Sequence, residues 1–201
     1  GPIALHVEDT NGAPCYMGIT LRNVKVAPSP DWMQHRLRAI GLEPKNNIVD
    51  VTNYVLHDLG QPLHAFDADR VAGQEVRVRK ANEGEAFTAL DGKEMTLTAA
   101  DLVIADAEKP MCLAGVFGGA HSGVHEGTTS VFLESAWFEP VTIRKSAKRH
   151  ALSTDASFRF ERGVDPEMTT RGLEKAVSLL VECAGAEPDG GLQVFRGALP
   201  Q

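Results

Sequence analysis

Apolar and polar residues alternate along several short segments of the chain, and this period of two predicts β-strands, whereas residues 102–105 and 111–116 are continuous apolar runs typical of buried strands. The predicted strands cover residues 3–7, 16–26, 75–79, 102–105, 111–116 and 130–136. Asn11-Gly12 and Asp91-Gly92 are turn signals of the kind that close hairpins. Residues 61–67 are expected to be extended, because Pro62 disfavours the helical conformation of the residue before it.

Other segments carry apolar residues at helical spacing, with proline or a polar cap before them and glycine after them. The predicted helices run over about 31–40, 47–59, 140–150 and 166–185. Residues 152–157 are rich in small residues and predict a turn with several possible N-caps. These elements together predict an α+β fold in which mixed sheets pack against helices, and we treat residues 1–201 as a single module.

The stretch from Leu113 to Ala120 holds three glycines in five positions, which lets the backbone approach a ligand closely. The strand predicted at 130–136 follows it and carries Glu134 among apolar residues, where a carboxylate is costly without a partner. A floor of small residues beside a carboxylate fits a pocket for a small polar group. A glycine turn with Glu134 facing solvent explains the same pattern equally well.

Two further polar side chains lie in apolar surroundings upstream. Asn53 falls near the middle of the predicted helix 47–59, where a buried amide would need hydrogen-bond partners. His64 has apolar residues on both sides, which implies partial burial. A histidine in such a place is more often part of a core than a catalytic group, so the pattern alone favours a structural role.

Four cations share one face of the helix predicted from Pro140: Arg144, Lys145, Lys148 and Arg149. Such a face is either a solvated surface or a contact for a phosphate backbone, and the sequence leaves both open. His121 and His125 with Glu126 lie in a Gly/Ser/Thr loop, and a solvated loop is favoured over a metal site there. We therefore predict no metal.

Composition narrows the class of protein. With 43% hydrophobic and 23% charged residues, the chain has the make-up of a globular protein and lacks the long apolar run of a membrane span. A net charge of −7 argues against a general nucleic-acid coat. The three cysteines are far apart and predict neither disulfides nor zinc, so we expect a reducing cytoplasm. The opening Gly1-Pro2 suggests a piece of a longer chain.

Several long motifs occur in one order along the chain, at residues 49–55, 60–67, 113–119, 133–134, 143–145, 154–157 and 159–165. Together they closely resemble the B3/B4 editing module of the β subunit of bacterial phenylalanyl-tRNA synthetase. The resemblance covers roughly residues 25–185 and is more specific than any single pattern above. It implies an aminoacyl-tRNA ester hydrolase that removes tyrosine wrongly attached to phenylalanine tRNA.

The resemblance also implies roles for individual residues. Asn53 and His64 would lie beside the ester end of the substrate, as the catalytic pair. Gly118 would form the floor of the amino-acid pocket, and Glu134 would recognise the tyrosine hydroxyl. The wall of the pocket would be lined by Thr154 and Ala156.

Two positions depart from the family pattern. Glu43 stands where the family usually has arginine, which puts in doubt any role of that position in holding the tRNA end. Phe158 stands where the family usually has histidine.

The implied partners are the 3′ end of phenylalanine tRNA, free tyrosine as a possible ligand, and the synthetase α subunit through a parent chain, with no membrane. No cofactor is expected for editing, whereas the parent synthetase would use ATP and magnesium. Two alternatives stay open: a non-catalytic tRNA-docking or structural module of the synthetase, and a free-standing editing factor.

Overall fold

A computed structural model describes residues 1–199 of the chain. Its strands are β1 (Ala4–Val7), β2 (Cys15–Arg22), β3 (Leu63–Asp67), β4 (Glu75–Lys80), β5 (Ala86–Thr88), β6 (Glu94–Thr96), β7 (Leu102–Ala105), β8 (Pro110–Leu113), β9 (Phe117–Gly118), β10 (Val131–Trp137) and β11 (Glu187–Arg196). Its α-helices are α1 (Asp31–Ala39), α2 (Asn47–Leu59), α3 (Pro140–Arg149), α4 (Asp155–Arg162) and α5 (Met168–Ala184). The predicted α+β class is confirmed.

A four-stranded antiparallel sheet has the order β11-β2-β10-β3. All seven residues of β10 are buried, because both faces of this inner strand are covered. On one face, the Ser135 hydroxyl donates a hydrogen bond to the Thr169 carbonyl oxygen of α5 at 2.7 Å. Its neighbour Glu134 therefore points to the opposite face, where it lies opposite Gly18 of β2 and His64 of β3.

A five-stranded sheet has the order β1-β4-β7-β8-β9, with only the β1–β4 pair parallel. Its last two strands form a tight hairpin in which Cys112 is opposite Gly118. The residues predicted as one strand over 111–116 instead end at Leu113 and turn at Gly115, whose φ of 69° suits glycine. The glycine-rich stretch is thus the turn and second strand of a hairpin.

Helix boundaries follow the chemistry of their caps. Asn46 caps α2 by accepting a hydrogen bond from the Val49 N–H, and Gly60 ends that helix in a left-handed conformation. The helix α5 begins two residues after the predicted start and ends at Gly185, also left-handed. These helices lie near the positions that the hydrophobic period predicts.

Among the elements that were not predicted as such are α4 and β11. Residues after Thr154 form α4, where the prediction had a turn, because Thr154 and Ser157 exchange hydrogen bonds in a capping box. The strand β11 is an edge strand that pairs with β2, and its pairing is interrupted by a bulge between Asp189 and Gln193. Conversely, β2 ends at Arg22 rather than residue 26, since Asn23 has a positive φ of 55°.

Within residues 1–199, no helix is both long enough and apolar enough to cross a membrane.

Candidate functional site

A small cavity lies between the Glu134 face of the four-stranded sheet, the β8–β9 hairpin and α4. Its volume is about 70 Å³, which is room for several water molecules. The lining residues are Pro62, Leu63, His64, Cys112, Gly115, Val116, Phe117, Gly118, Glu134, Ala156 and Phe160. The structure thus brings together four of the residues predicted for the site: His64, Gly118, Glu134 and Ala156.

Glu134 is buried, with 5% of its surface exposed, so the solvent-facing alternative for this carboxylate is wrong. The phenol of Tyr16 donates a hydrogen bond to Glu134 Oε2 at 2.6 Å. Burial raises the pKa of Glu134 to about 7, even though the Tyr16 hydrogen bond acts to lower it. The carboxylate therefore changes its charge near neutral pH. Tyr16 was not among the predicted residues, since it lies 118 positions away in sequence and no motif marks it.

His64 presents a buried ring nitrogen to the same cavity. Its Nε2 atom is buried and has no hydrogen-bond partner within residues 1–199. The Phe66 ring meets the imidazole edge to face at 4.5 Å between ring centres. Burial lowers the pKa of His64 to about 4, so the imidazole is neutral at pH 7. A neutral imidazole has one donor and one acceptor nitrogen, and an unpartnered Nε2 is available to a ligand.

Gly118 lies against His64. A Cβ atom at Gly118 would lie 3.2 Å from His64 Cε1 and 3.7 Å from Nε2. The 3.2 Å distance to Cε1 is shorter than an ordinary van der Waals contact, so any side chain at position 118 would press on the imidazole and take cavity volume. Gly118 therefore lines the cavity beside His64, and its role as the floor of an amino-acid pocket stays a prediction.

The helix α4 supplies one wall through Ala156 and Phe160. Thr154 does not line the cavity. Its hydroxyl donates to the Val116 carbonyl oxygen at 2.8 Å and also caps α4. This residue ties α4 to the β8–β9 hairpin, so in the structure Thr154 fixes the wall and Ala156 forms its surface.

Asn53 is half-buried on α2 and is not one of the lining residues. Its side chain makes no hydrogen bond within residues 1–199. The catalytic role that the resemblance implies for Asn53 stays a prediction.

The two departures from the family pattern lie outside the lining as well. Glu43 is exposed and approaches Arg38 of α1 at 3.8 Å. Phe158 is 52% exposed on α4, and the Arg162 guanidinium carbon lies 3.4 Å from its ring centre. This stacked pair is a cation–π contact at the surface of the helix that borders the cavity.

The predicted cationic face of α3 is only partly free. Arg144, Lys145 and Lys148 are exposed, but Arg149 donates to the buried carboxylate of Asp101. Arg149 is exposed as well, but its ion pair with Asp101 helps to hold α3 on the loop before β7, and its predicted RNA contact stays a prediction.

Asp101 is the centre of this contact. It also accepts hydrogen bonds from the Ser146 hydroxyl at 2.7 Å and the Thr98 N–H at 2.9 Å, and it contacts His150 Nε2 at 2.7 Å. Burial acts to raise the pKa of Asp101, but these hydrogen bonds outweigh it and hold the pKa below its usual value. The carboxylate therefore stays ionised within a network of donors.

Replacing Arg149 with alanine is expected to lower the free energy of unfolding by about 1–3 kcal/mol, because Asp101 loses a charged donor. Arg144→Ala is the matched control, since Arg144 is exposed and makes no ion pair within residues 1–199; we expect a change within about 0.5 kcal/mol. Chemical denaturation of both variants measures the difference. Equal losses would contradict the structural role of Arg149.

A larger groove, of about 720 Å³, opens elsewhere between β5, β8 and the loop that follows β9. Its lining includes Arg70, Lys109 and His121 and none of the residues predicted for the site. The smaller cavity is the better candidate, because it alone of the two joins a buried carboxylate to a buried, unpartnered nitrogen.

No group of three metal-ligating side chains is arranged to hold an ion within residues 1–199. In the loop between β9 and β10, the Nε2 atom of His125 lies 2.9 Å from the Asp67 carboxylate. This contact gives His125 a structural partner.

Curated relatives and a family model match most of the chain. The β subunit of phenylalanine–tRNA ligase from Porphyromonas gingivalis is 52% identical over 198 residues, which are 98% of this chain and 24% of that protein. The β subunit from Bdellovibrio bacteriovorus is also 52% identical, over 92% of this chain and 23% of that protein. The chain thus spans about a quarter of the length of these relatives.

A solved structure, an N-terminal fragment of the phenylalanyl-tRNA synthetase β subunit from Pyrococcus horikoshii, matches with a TM-score of 0.61 at 13% identity. The match covers 94% of this chain and 50% of the fragment, and it shows the likeness of the fold. The family model described as the B3/4 domain matches residues 12–185. The chain therefore belongs to the B3/4 domain family.

Proposed function

We propose that this chain hydrolyses the ester of tyrosine wrongly attached to phenylalanine tRNA, as the editing module of a phenylalanyl-tRNA synthetase β subunit. The observation that carries the proposal is the cavity in which Glu134, the unpartnered Nε2 of His64 and the bare backbone of Gly118 meet. Glu134 and His64 are paired in the register of neighbouring strands, so a buried carboxylate and a buried nitrogen reach the same cavity side by side.

A synthetase for phenylalanine needs such a module for a physical reason. A hydrophobic pocket rejects an isostere that adds only a hydroxyl by roughly 10²-fold. A second site that requires the hydroxyl can remove the error while it spares the correct product. The proposed site does this by a hydrogen bond that phenylalanine cannot make.

Glu134 would perform the selection. One of its carboxylate oxygens accepts from Tyr16, and the other accepts no hydrogen bond from residues 1–199. An ionised carboxylate that accepts a phenol O–H forms a charge-assisted bond worth roughly 1.5–3 kcal/mol. Bound phenylalanine would leave that oxygen without a partner and exclude water from it.

His64 would act at the ester end. In the proposed reaction water adds to the ester carbonyl carbon, the bond to the ribose oxygen breaks, and the ribose oxygen takes a proton. An imidazole with a pKa of about 4 is a weak base, so we assign His64 to hydrogen bonding, where it orients the water or the terminal ribose. The neighbouring ribose hydroxyl of the substrate would assist the proton transfer.

The test is hydrolysis of Tyr-tRNA and Phe-tRNA, both made on phenylalanine tRNA, by the purified chain. We expect the tyrosine ester to be cleaved faster. His64→Ala is expected to slow that cleavage by roughly 10²-fold, the lower end of what positioning and proton transfer contribute. His35→Ala is the matched control, because His35 is exposed on α1 and makes no side-chain hydrogen bond in the described part of the chain.

The outcomes separate the alternatives. No hydrolysis of either ester by the chain or by the synthetase that contains it would favour a docking or structural module. Selective hydrolysis that His64→Ala leaves unchanged would remove His64 from the mechanism while retaining the function.

The context of the proposal comes from the relatives. Those named above are β subunits of phenylalanine–tRNA ligase. We therefore propose a cytoplasmic protein whose partners are the 3′ end of phenylalanine tRNA and, through a longer parent chain, the α subunit. The exposed cations Arg144, Lys145 and Lys148 are the proposed contacts for the RNA backbone, and their effect should fall as salt rises. ATP and magnesium would serve the parent synthetase and not the hydrolysis.

A further inference from the structure

Glu134 already holds one phenol before any substrate arrives. Tyr16 and Glu134 lie on the neighbouring strands β2 and β10, two positions apart in the pairing register. The Tyr16 side chain is fully buried, and its ring packs against Phe138 at 6.3 Å between centres. Within residues 1–199, the Tyr16 hydroxyl is the only group that donates a hydrogen bond to the Glu134 carboxylate.

We propose that Tyr16 is a positioning residue for substrate selection: it fixes Glu134 through Oε2 and leaves Oε1 to accept the phenol of a bound tyrosine. This inference rests on the proposed function. It adds a specificity role for a residue that lies behind the cavity and does not line it.

The geometry supports a positioning role. A glutamate side chain has three rotatable bonds, and a single carboxylate in an apolar cavity would otherwise be free to turn. The short bond to an immobile phenol removes that freedom before binding, so less entropy is lost when the substrate arrives. The arrangement also engages Oε2, which leaves Oε1 as the carboxylate oxygen that accepts no hydrogen bond from the described residues.

The groups that face Glu134 belong to three other strands. Tyr16 is on β2, His64 is opposite on β3, and Cys112 reaches the cavity from β8. Burial raises the pKa of the Cys112 thiol, and the Glu134 charge raises it further, so this group is a neutral thiol at pH 7. The pKa of His64, lowered to about 4 by burial, makes that imidazole neutral as well. Tyr16 is therefore the group that stabilises the ionised form of Glu134.

A proton balance follows from this arrangement. Near pH 7 part of the Glu134 population carries a proton, and a second phenol that donates to the carboxylate favours the ionised form. Binding of tyrosine should therefore release a fraction of a proton to the buffer. Phenylalanine, which has no hydroxyl, should release none.

The test compares Tyr16→Phe with the matched variant Tyr54→Phe. The chain has two tyrosines, and Tyr54 lies on α2, where its ring meets Trp32 edge to face at 5.3 Å. We expect Tyr16→Phe to reduce the preference for Tyr-tRNA over Phe-tRNA by roughly five- to tenfold, the equivalent of one hydrogen bond. Tyr54→Phe should leave the preference unchanged.

A pH profile separates positioning from general packing. Loss of the Tyr16 hydrogen bond removes an influence that lowers the pKa of Glu134, so the pH midpoint of tyrosine preference should move upward in Tyr16→Phe. An unchanged preference and an unchanged midpoint would overturn the inference. If Tyr16→Phe had no effect but Glu134→Gln lost the preference for Tyr-tRNA, the proposed function would stand without a positioning role for Tyr16.

A second measurement does not depend on the stability of the variant. With both tyrosines replaced by 3-fluorotyrosine, the ¹⁹F resonance of Tyr16 should shift when free L-tyrosine saturates the chain, because two phenols then share one carboxylate. L-phenylalanine should not cause this shift, and the Tyr54 resonance should stay in place. A Tyr16 resonance that L-tyrosine leaves unmoved would overturn the inference.

Discussion

Glu134→Gln is expected to remove most of the preference for tyrosine, by roughly 10- to 150-fold in the ratio of Tyr-tRNA to Phe-tRNA hydrolysis. The range corresponds to the 1.5–3 kcal/mol of a hydrogen bond to a charged acceptor. Glutamine keeps the size of the side chain and can still accept from Tyr16. Its amide group, however, presents donors to the cavity and cannot accept the phenol proton as a carboxylate does.

The role of Glu134 can also be tested through the pH dependence of tyrosine preference in the wild-type chain. Below the pKa of about 7, Glu134 becomes protonated and loses its strength as an acceptor. Tyrosine preference should therefore rise as pH increases through neutrality. In Glu134→Gln the preference should show no such rise, and a rise that persisted would assign the titration to another group.

Stability should depend on pH in the opposite sense. The pKa of Glu134 is about 7 in the folded chain, against its ordinary value of 4.5, so between these pH values the folded state binds more protons than the unfolded state. Stability from this group is then full below pH 4.5 and is lost as pH rises to 7, by roughly 3 kcal/mol. Glu134→Gln should lack this loss in denaturation measured across that range. If the variant simply unfolds, Glu134 belongs to a core network and not to a recognition site.

Gly118→Val is the second large expected effect: hydrolysis of Tyr-tRNA should fall by at least about 10²-fold. Even the first added carbon would lie 3.2 Å from His64 Cε1, and the branches of valine must enter the cavity or displace the imidazole. The substrate then loses its space and the water loses its orienting group. Steady-state hydrolysis by the variant measures the loss.

Gly123→Ala is the control for this substitution. A Cβ atom at Gly123 would meet no atom within 4 Å, and its φ is not positive. Its hydrolysis and stability should match the wild type. A fully active Gly118→Val would show that the amino acid binds somewhere other than this cavity.

The hydrophobic pattern was sufficient for most of the fold, because α2, α5 and β10 each carry a clear period and a clear stop signal. It failed at α4, where Thr154 and Ser157 were read as a turn although their spacing is that of a capping box. It failed again at β11, whose Pro188 and paired glycines are poor in strand formers and join the sheet through contacts with β2. Both misses are places where tertiary contact or cap chemistry outweighs the local pattern.

Some residues of the candidate site can be predicted from the sequence, whereas others can be recognised only from the fold. His64, Gly118 and Glu134, which line the candidate cavity, are predicted through motif resemblance, and a carboxylate in an apolar run points to Glu134 independently. Tyr16 could not be found, since its partner lies on a strand that is distant in sequence and only the register brings them together. A helical face shows where the Arg149 cation points, but not that it pairs with the buried Asp101, which is 48 positions away in sequence.

The inner position of β10 in the sheet limits which insertions and deletions this strand can accept. Glu134 faces the cavity while Ser135 bonds to α5, so the strand has a fixed phase. Insertion or loss of one residue within β10 would exchange the faces, turning Glu134 towards the helix and an apolar or hydroxyl side chain towards the cavity. The number of residues in β10 between its two sheet partners is therefore constrained as well as their identity, and the proposed selection for a hydroxyl would depend on both.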